Sequence, residues 1–184
     1  MRKHLLPTLG TMLTLIATAG LLRAVAGPPC CVVPQAGPDV QFVIKAAAAG
    51  SAGIQLAQLA RQKTASEKLK AVAERIETEH QVATSDLKAL AARKAITVPE
   101  EMDQAHQAAR DRLERLSGMA FDRAFAEQMV ADHKAAIDLF ATHMKTGADA
   151  EVRAFAAQQL PALRAHLKQS QDLLKPGGGT RARR

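Results

Sequence analysis

Five of the chain's six histidines lie beyond residue 26, and four of these, His80, His106, His133 and His166, fall in or beside apolar stripes near the middle of a predicted helix. An apolar stripe is the face that a helix turns toward a core, so imidazoles that recur there are candidates for buried chemistry. Two of the four also sit in segments that echo each other. Glu74-Arg75-Ile76-Glu77-Thr78-Glu79-His80 and Glu127-Gln128-Met129-Val130-Ala131-Asp132-His133 both read Glu-x-aliphatic-x-x-acid-His. Imidazole is a good ligand for Zn, Cu, Ni or Fe, and helical bundles build metal sites from side chains on facing helices. The expected ligands are therefore His80 and His133, joined by His106 or His166. Glu77 supplies the carboxylate, because Glu77-x-x-His80 places both groups on one helix face. Glu79 and Asp132 each precede a histidine and point about 100° away around the helix, which suits an outer partner of a ligand better than a ligand. Such a site loses its ion as protons compete for imidazole, ordinarily near pH 6.5. The competing reading is structural: histidines at the edge of a core, hydrogen-bonded to carboxylates or carbonyls.

The elements that must position these residues are helices. Val40 opens a first stretch, about 40–63, that is apolar at Phe42, Val43, Ala46, Ile54, Leu56 and Leu59, with Asp39 as the expected N-cap and Gly50 and Gly53 as points of close approach. Thr64-Ala65-Ser66-Glu67 has capping-box spacing and starts a second helix, about 66–93. Thr97-Val98-Pro99-Glu100 repeats that spacing ahead of a short third helix, about 99–116, with Pro99 in its first turn. A fourth helix, about 119–145, carries Phe121, Phe125, Met129, His133, Ile137, Phe140 and Met144 on one face. A fifth, about 150–174, starts at an Asp149 cap and contains Pro161, which is expected to kink it. Four of these helices match in length and the third does not. The economical architecture is an all-α, ferritin-like four-helix bundle over residues 39–174, in which the short helix belongs to the crossover between the second and fourth. That crossover leaves the second and fourth helices parallel and brings His80 and His133 face to face.

Composition agrees with helices. The chain has 38 alanines, no Trp, no Tyr and 3% aromatic residues, which suits closely approaching helices and excludes an all-β architecture. Net charge is +7, but seven of the 25 basic residues lie before residue 27 or from Lys175 onward, leaving 18 bases against 18 acids between. Without a basic cluster or stacking aromatics, nucleic acid is not an expected partner. Met1-Arg2-Lys3, the apolar run Leu9 to Leu22 and Ala24-Val25-Ala26 make residues 1–26 a cleavable signal peptide. The mature protein is then periplasmic or secreted, with no stable membrane span. Residues 27–38 form a Pro/Gly-rich linker that holds Cys30 and Cys31, and residues 175–184 form a basic, disordered tail. A protein partner or homo-oligomer is left open.

The pieces Phe42-Val43 with the following alanines and Gly50, Glu79-His80, Leu87-Lys88-Ala89-Leu90-Ala91, Ser117-Gly118-Met119-Ala120-Phe121-Asp122-Arg123, Val130-Ala131-Asp132-His133 and Leu160-Pro161-Ala162-Leu163-Arg164-Ala165-His166-Leu167 occur in a specific order and spacing. In them the chain resembles the secreted bacterial family known as domain of unknown function 4142, often labelled a predicted outer-membrane protein. The resemblance implies a ferritin-like bundle in the cell envelope and carries no assigned activity. Members of that family often have acidic residues where this chain has Gly53 and Gln55, and Tyr where it has Phe125.

Three functions fit these observations. The first is an exported bundle that binds a transition metal through interior histidines. The second is a non-catalytic envelope-stress or interaction protein without metal. The third, a ferritin-like di-metal oxidase, wants a Glu on each of two helices and Glu-x-x-His on the other two. Here Val130 stands where the second Glu-x-x-His needs its Glu, and the first helix has no acid beyond Val40. No Ser-His-Asp order, phosphate loop or Cys-x-x-Cys is present, so no catalytic residues are assigned.

Overall fold

The computed structural model describes residues 37–175; the expected signal peptide, most of the expected linker with Cys30 and Cys31, and the tail from Pro176 lie outside the described residues. Five helices and no strand occur among the described residues: α1 (Pro38–Lys63), α2 (Glu67–Arg93), α3 (Gln104–Glu114), α4 (Gly118–Thr146) and α5 (Ala150–Leu173). Pro38 starts α1, where its missing N–H costs nothing, so Asp39 lies inside the first turn and is not the expected cap. Its carboxylate instead accepts the backbone N–H groups of Ala148 and Asp149, at 3.1 Å each, tying α1 to the turn between α4 and α5. Ser66 caps α2 by accepting from Leu69 N, and Asp149 caps α5 by accepting from Glu151 N and Val152 N. α2 ends where Ala95 turns to φ +53° and Ile96 N–H reaches back to the Ala91 carbonyl.

The third helix begins later than its capping-box spacing suggests. Asp103, not Thr97, accepts the first-turn N–H, from His106 at 2.9 Å, and residues 97–103 run as irregular chain. α5 continues through Pro161 without interruption.

α1 packs on α2 and α4, and α5 packs on α4 and α2, so the long helices form a four-sided bundle with α2 and α4 on one diagonal. Two apolar clusters give the directions. One joins Phe42 and Val43 at the start of α1, Leu87 and Leu90 late in α2, Phe140 late in α4 and Val152 and Phe155 early in α5. The other joins Leu56 late in α1, Leu69 and Ile76 early in α2, and Phe121, Phe125 and Met129 early in α4. α1 and α5 therefore run one way and α2 and α4 the other. Such an order requires the long connection 94–117 to return the chain to the far end of the bundle. α3 lies in that connection, with Leu113 buried in the second cluster and the Glu114 carbonyl accepting from Lys63 Nζ. The two clusters leave a layer between them at mid-bundle, filled by neither.

Candidate metal centre

Three of the four mid-helix histidines occupy that layer. His80 comes from α2, His133 from α4 and His166 from α5, with ring centroids 5.5, 5.3 and 5.2 Å apart. One ring nitrogen from each lies within 4.8 Å of the others. Nitrogens bound to a single ion at about 2.0–2.1 Å stand about 3.3–4 Å apart, so the rings need to close by only about 1 Å. The fourth side of the layer is α1, which presents glycine. A Cβ on Gly53 would collide with the His80 ring, meeting Cε1 at 2.7 Å, and one on Gly50 would meet Thr84 Oγ1 at 2.6 Å. The close approach expected of Gly53 is thus what lets His80 lie inside the bundle, and that of Gly50 makes room for Thr84. A cavity of about 60 Å³ borders all three rings.

The hydrogen bonds leave one lone pair per ring directed at no protein group. His133 Nδ1 lies 2.7 Å from the Met129 carbonyl, which fixes the proton there and frees Nε2. His80 has a backbone hydrogen bond with Gly50, and its Nε2 is sealed and unpartnered although the residue as a whole is only half-buried. His166 is 1% exposed; its Nε2 stands 2.9 Å from Glu79 Oε2, out of line for a full hydrogen bond, and its Nδ1 has no partner. Unsatisfied buried polar groups cost about 1–3 kcal/mol each, so three in one layer are an expensive arrangement unless something fills it.

Electrostatics keep these rings as neutral donors. Burial pushes His80 down to about 3, with the neighbouring His133 and His166 adding to the effect, and pushes His166 down to about 4. Burial also lowers His133. Protons therefore compete for the folded site at lower pH than the ordinary imidazole value of about 6.5 suggests.

The remaining expected site residues lie elsewhere. Glu77 is three residues from His80 but turns to α1, where it accepts from Arg61 Nη1 at 2.6 Å and Gln58 Nε2 at 3.1 Å. That pair holds its carboxyl below the usual range, against the effect of burial, and keeps it out of the histidine group. His106 sits between two acids, with Nδ1 at 2.8 Å from Asp103 Oδ2 and Nε2 at 3.6 Å from Asp132 Oδ1. Asp132 and Asp103 raise it to about 9, making it a cation at neutral pH with no lone pair for an ion. Of the two outer acids, Glu79 approaches His166 across the α2–α5 interface, and not its neighbour His80. Asp132 pairs with His106 and accepts from Gln128 at 2.8 Å.

The fifth helical histidine, His143, received no role from the sequence. It is buried, stacked on Phe42 with centroids 4.0 Å apart, and its Nε2 is 2.9 Å from Asp39 Oδ1. The signal was available: His143 lies three residues after Phe140 on the apolar face of α4, and Gly147 one turn later leaves room for its ring.

Solved structures share this architecture. A DUF305 fragment from Deinococcus radiodurans aligns with TM-score 0.68 at 18% identity, covering 76% of this chain and 96% of the other. CopM in its Cu(II)-bound form aligns with TM-score 0.64 at 22% identity, covering 74% and 95%. A putative secreted DUF305 protein from Streptomyces coelicolor aligns with TM-score 0.65 at 12% identity, covering 80% and 98%. At these identities the likeness is one of fold. No curated protein matches the chain. The family model described as Domain of unknown function (DUF4142) matches residues 31–173, and the protein belongs to that family.

Proposed function

We propose that this protein is an exported helical bundle that binds a transition-metal ion, copper in first place, through His80, His133 and His166. The observation that carries the reading is the convergence of three imidazoles from three helices, two buried and one half-buried, each with a buried, unpartnered nitrogen, in a layer that neither apolar cluster fills. Neutral imidazole suits Cu, Zn, Ni and Fe, and among divalent first-row ions such donors bind copper most tightly. CopM, which shares the fold, is known in Cu(II)-, Cu(I)- and Ag-bound forms, which favours the same choice. When bound, the ion supplies a Lewis-acidic or redox-active centre; the chain's own residues hold and shield it. The Met129 carbonyl orients His133, the Gly50 backbone holds His80 in the space that Gly53 leaves, and Glu79 faces His166 across the α2–α5 interface. A carboxylate-bridged pair of ions would need acids in the group, and among the described residues it has none. Export rests on the signal-like residues 1–26.

The test is metal-dependent stability. At about 100 times its dissociation constant, an ion that binds only the folded state adds roughly 2.7 kcal/mol. Wild type is expected to gain this with Cu(II), and the His80→Ala/His133→Ala variant to gain nothing. Equal responses in the two proteins remove the site and return the chain to a bundle whose histidines serve packing alone.

A further inference from the structure

We infer that the histidine layer takes its ion together with a small monoanion, of the size of hydroxide, chloride or azide, held in the cavity that α1 leaves open beside the three rings. The inference rests on the metal reading above and concerns what else the site must bind. The first consideration is charge. Three imidazole ligands bring none, and the two carboxylates that border the cavity are already engaged. Glu79 accepts from Arg75 Nε at 2.7 Å and faces His166, while Asp132 accepts from Gln128 and stands beside His106. Apart from those two engaged acids the lining is neutral, mostly alanine, glycine, leucine and phenylalanine with Thr84 and Gln159, so a divalent ion among three neutral donors lacks a counter-charge in contact.

The second consideration is space. The cavity of about 60 Å³ is lined by His80, His133 and His166, by Ala49 and Gly50 of α1, and by Ala83 one turn along α2 from His80. One water needs about 10–15 Å³ on this measure, so a two- or three-atom anion fits. The third is donor count. α1 forms the remaining wall and cannot add a ligand, because at Gly53 even a methyl group would strike the His80 ring. Metal sites with three protein ligands keep a position for an exogenous one. Here the neutral ligand set and the apolar wall favour an anion over a neutral ligand at that position.

The experiment uses the full chain loaded with Cu(II), with copper content measured on every sample, and titrates sodium azide while following the azide-to-copper charge-transfer band. Wild type, Ala83→Leu, Ala49→Val and the His80→Ala/His133→Ala/His166→Ala variant are compared. The expected result is one copper per wild-type chain and a saturable band. The two cavity-filling variants should hold the same copper but bind azide about tenfold more weakly. If wild type holds copper and shows no saturable band beyond that of the triple variant, the anion site is overturned while metal binding stands. Unchanged azide affinity in both Ala83→Leu and Ala49→Val overturns the cavity's part in it. If wild type holds no more copper than the triple variant, the metal reading falls and the anion site with it.

Discussion

Gly53→Ala separates a helix governed by its own propensity from one governed by the histidine layer. Gly53 is buried in the interior of α1. Glycine at such a position is about 0.8–1.0 kcal/mol less favourable than alanine, so on propensity alone the substitution stabilises by that amount. The tertiary structure reverses the sign. The added Cβ would strike His80, with 2.7 Å to Cε1, where relaxed carbon contacts are about 3.5–4.0 Å. The ring must move by about 1 Å, yet it abuts His133 and His166 at centroid distances of 5.5 and 5.3 Å, so the displacement spreads through the layer. Overpacking of this kind costs about 1–3 kcal/mol. Set against the propensity gain, the expected net change is a loss of about 1 kcal/mol, together with loss of the copper response. Urea unfolding followed by far-ultraviolet circular dichroism reads the first effect, and the same measurement with Cu(II) reads the second. A double-mutant cycle with His80→Ala isolates the contact: once the ring is gone, Gly53→Ala should recover its stabilising sign. Stabilisation by Gly53→Ala with His80 present, or an additive cycle, would refute the reasoning.

Three further outcomes follow from the described geometry. Because burial lowers the three layer histidines, the unfolded chain takes up protons that the folded chain refuses. Metal-free protein should therefore lose stability as pH falls from about 6.5 toward 4, by up to about 1.4 kcal/mol per pH unit for each histidine, and the triple alanine variant should show a much shallower slope in pH-dependent unfolding. His106 has the opposite sign: its folded value, raised to about 9, gives stability fully present below about 6.5 that is lost as pH rises through 9. The stability gap between wild type and His106→Gln, about 1–3 kcal/mol at pH 6, should thus close by pH 9.5 in thermal unfolding. Arg61→Ala strands the nearly buried Glu77 and should cost about 1–3 kcal/mol, whereas Glu77→Gln should leave the copper response intact; loss of that response in calorimetric titration would place Glu77 in the site after all.

The sequence alone determined the number of helices and most of their limits, because periodicity, caps and terminating glycines act over one or two turns. Asp149 caps α5 as expected and α2 starts where its box predicts, although Ser66 and not Thr64 supplies the cap, and the length of 94–117 forces the chain to cross the bundle before α4. Once α2 and α4 run parallel, helical rise alone places His80 and His133 at one level. The rotation of each helix about its axis was not legible, because a face is assigned only by what packs against it. Glu77 and His80 share one side of α2 by spacing, yet Arg61 and Gln58 draw the carboxylate to α1 while His80 turns to the centre. His106 follows an apolar stripe in the sequence, but Asp103 one turn before it and Asp132, close to it only after folding, convert it to a buttressed cation. Asp39 reads locally as a cap and serves instead a turn more than a hundred residues away. Gly53 had no chemistry of its own in the sequence. Its role exists only because a ring from α2 occupies the volume that its missing side chain leaves, and a contact between distant segments is set by the packing of whole helices and not by any local pattern.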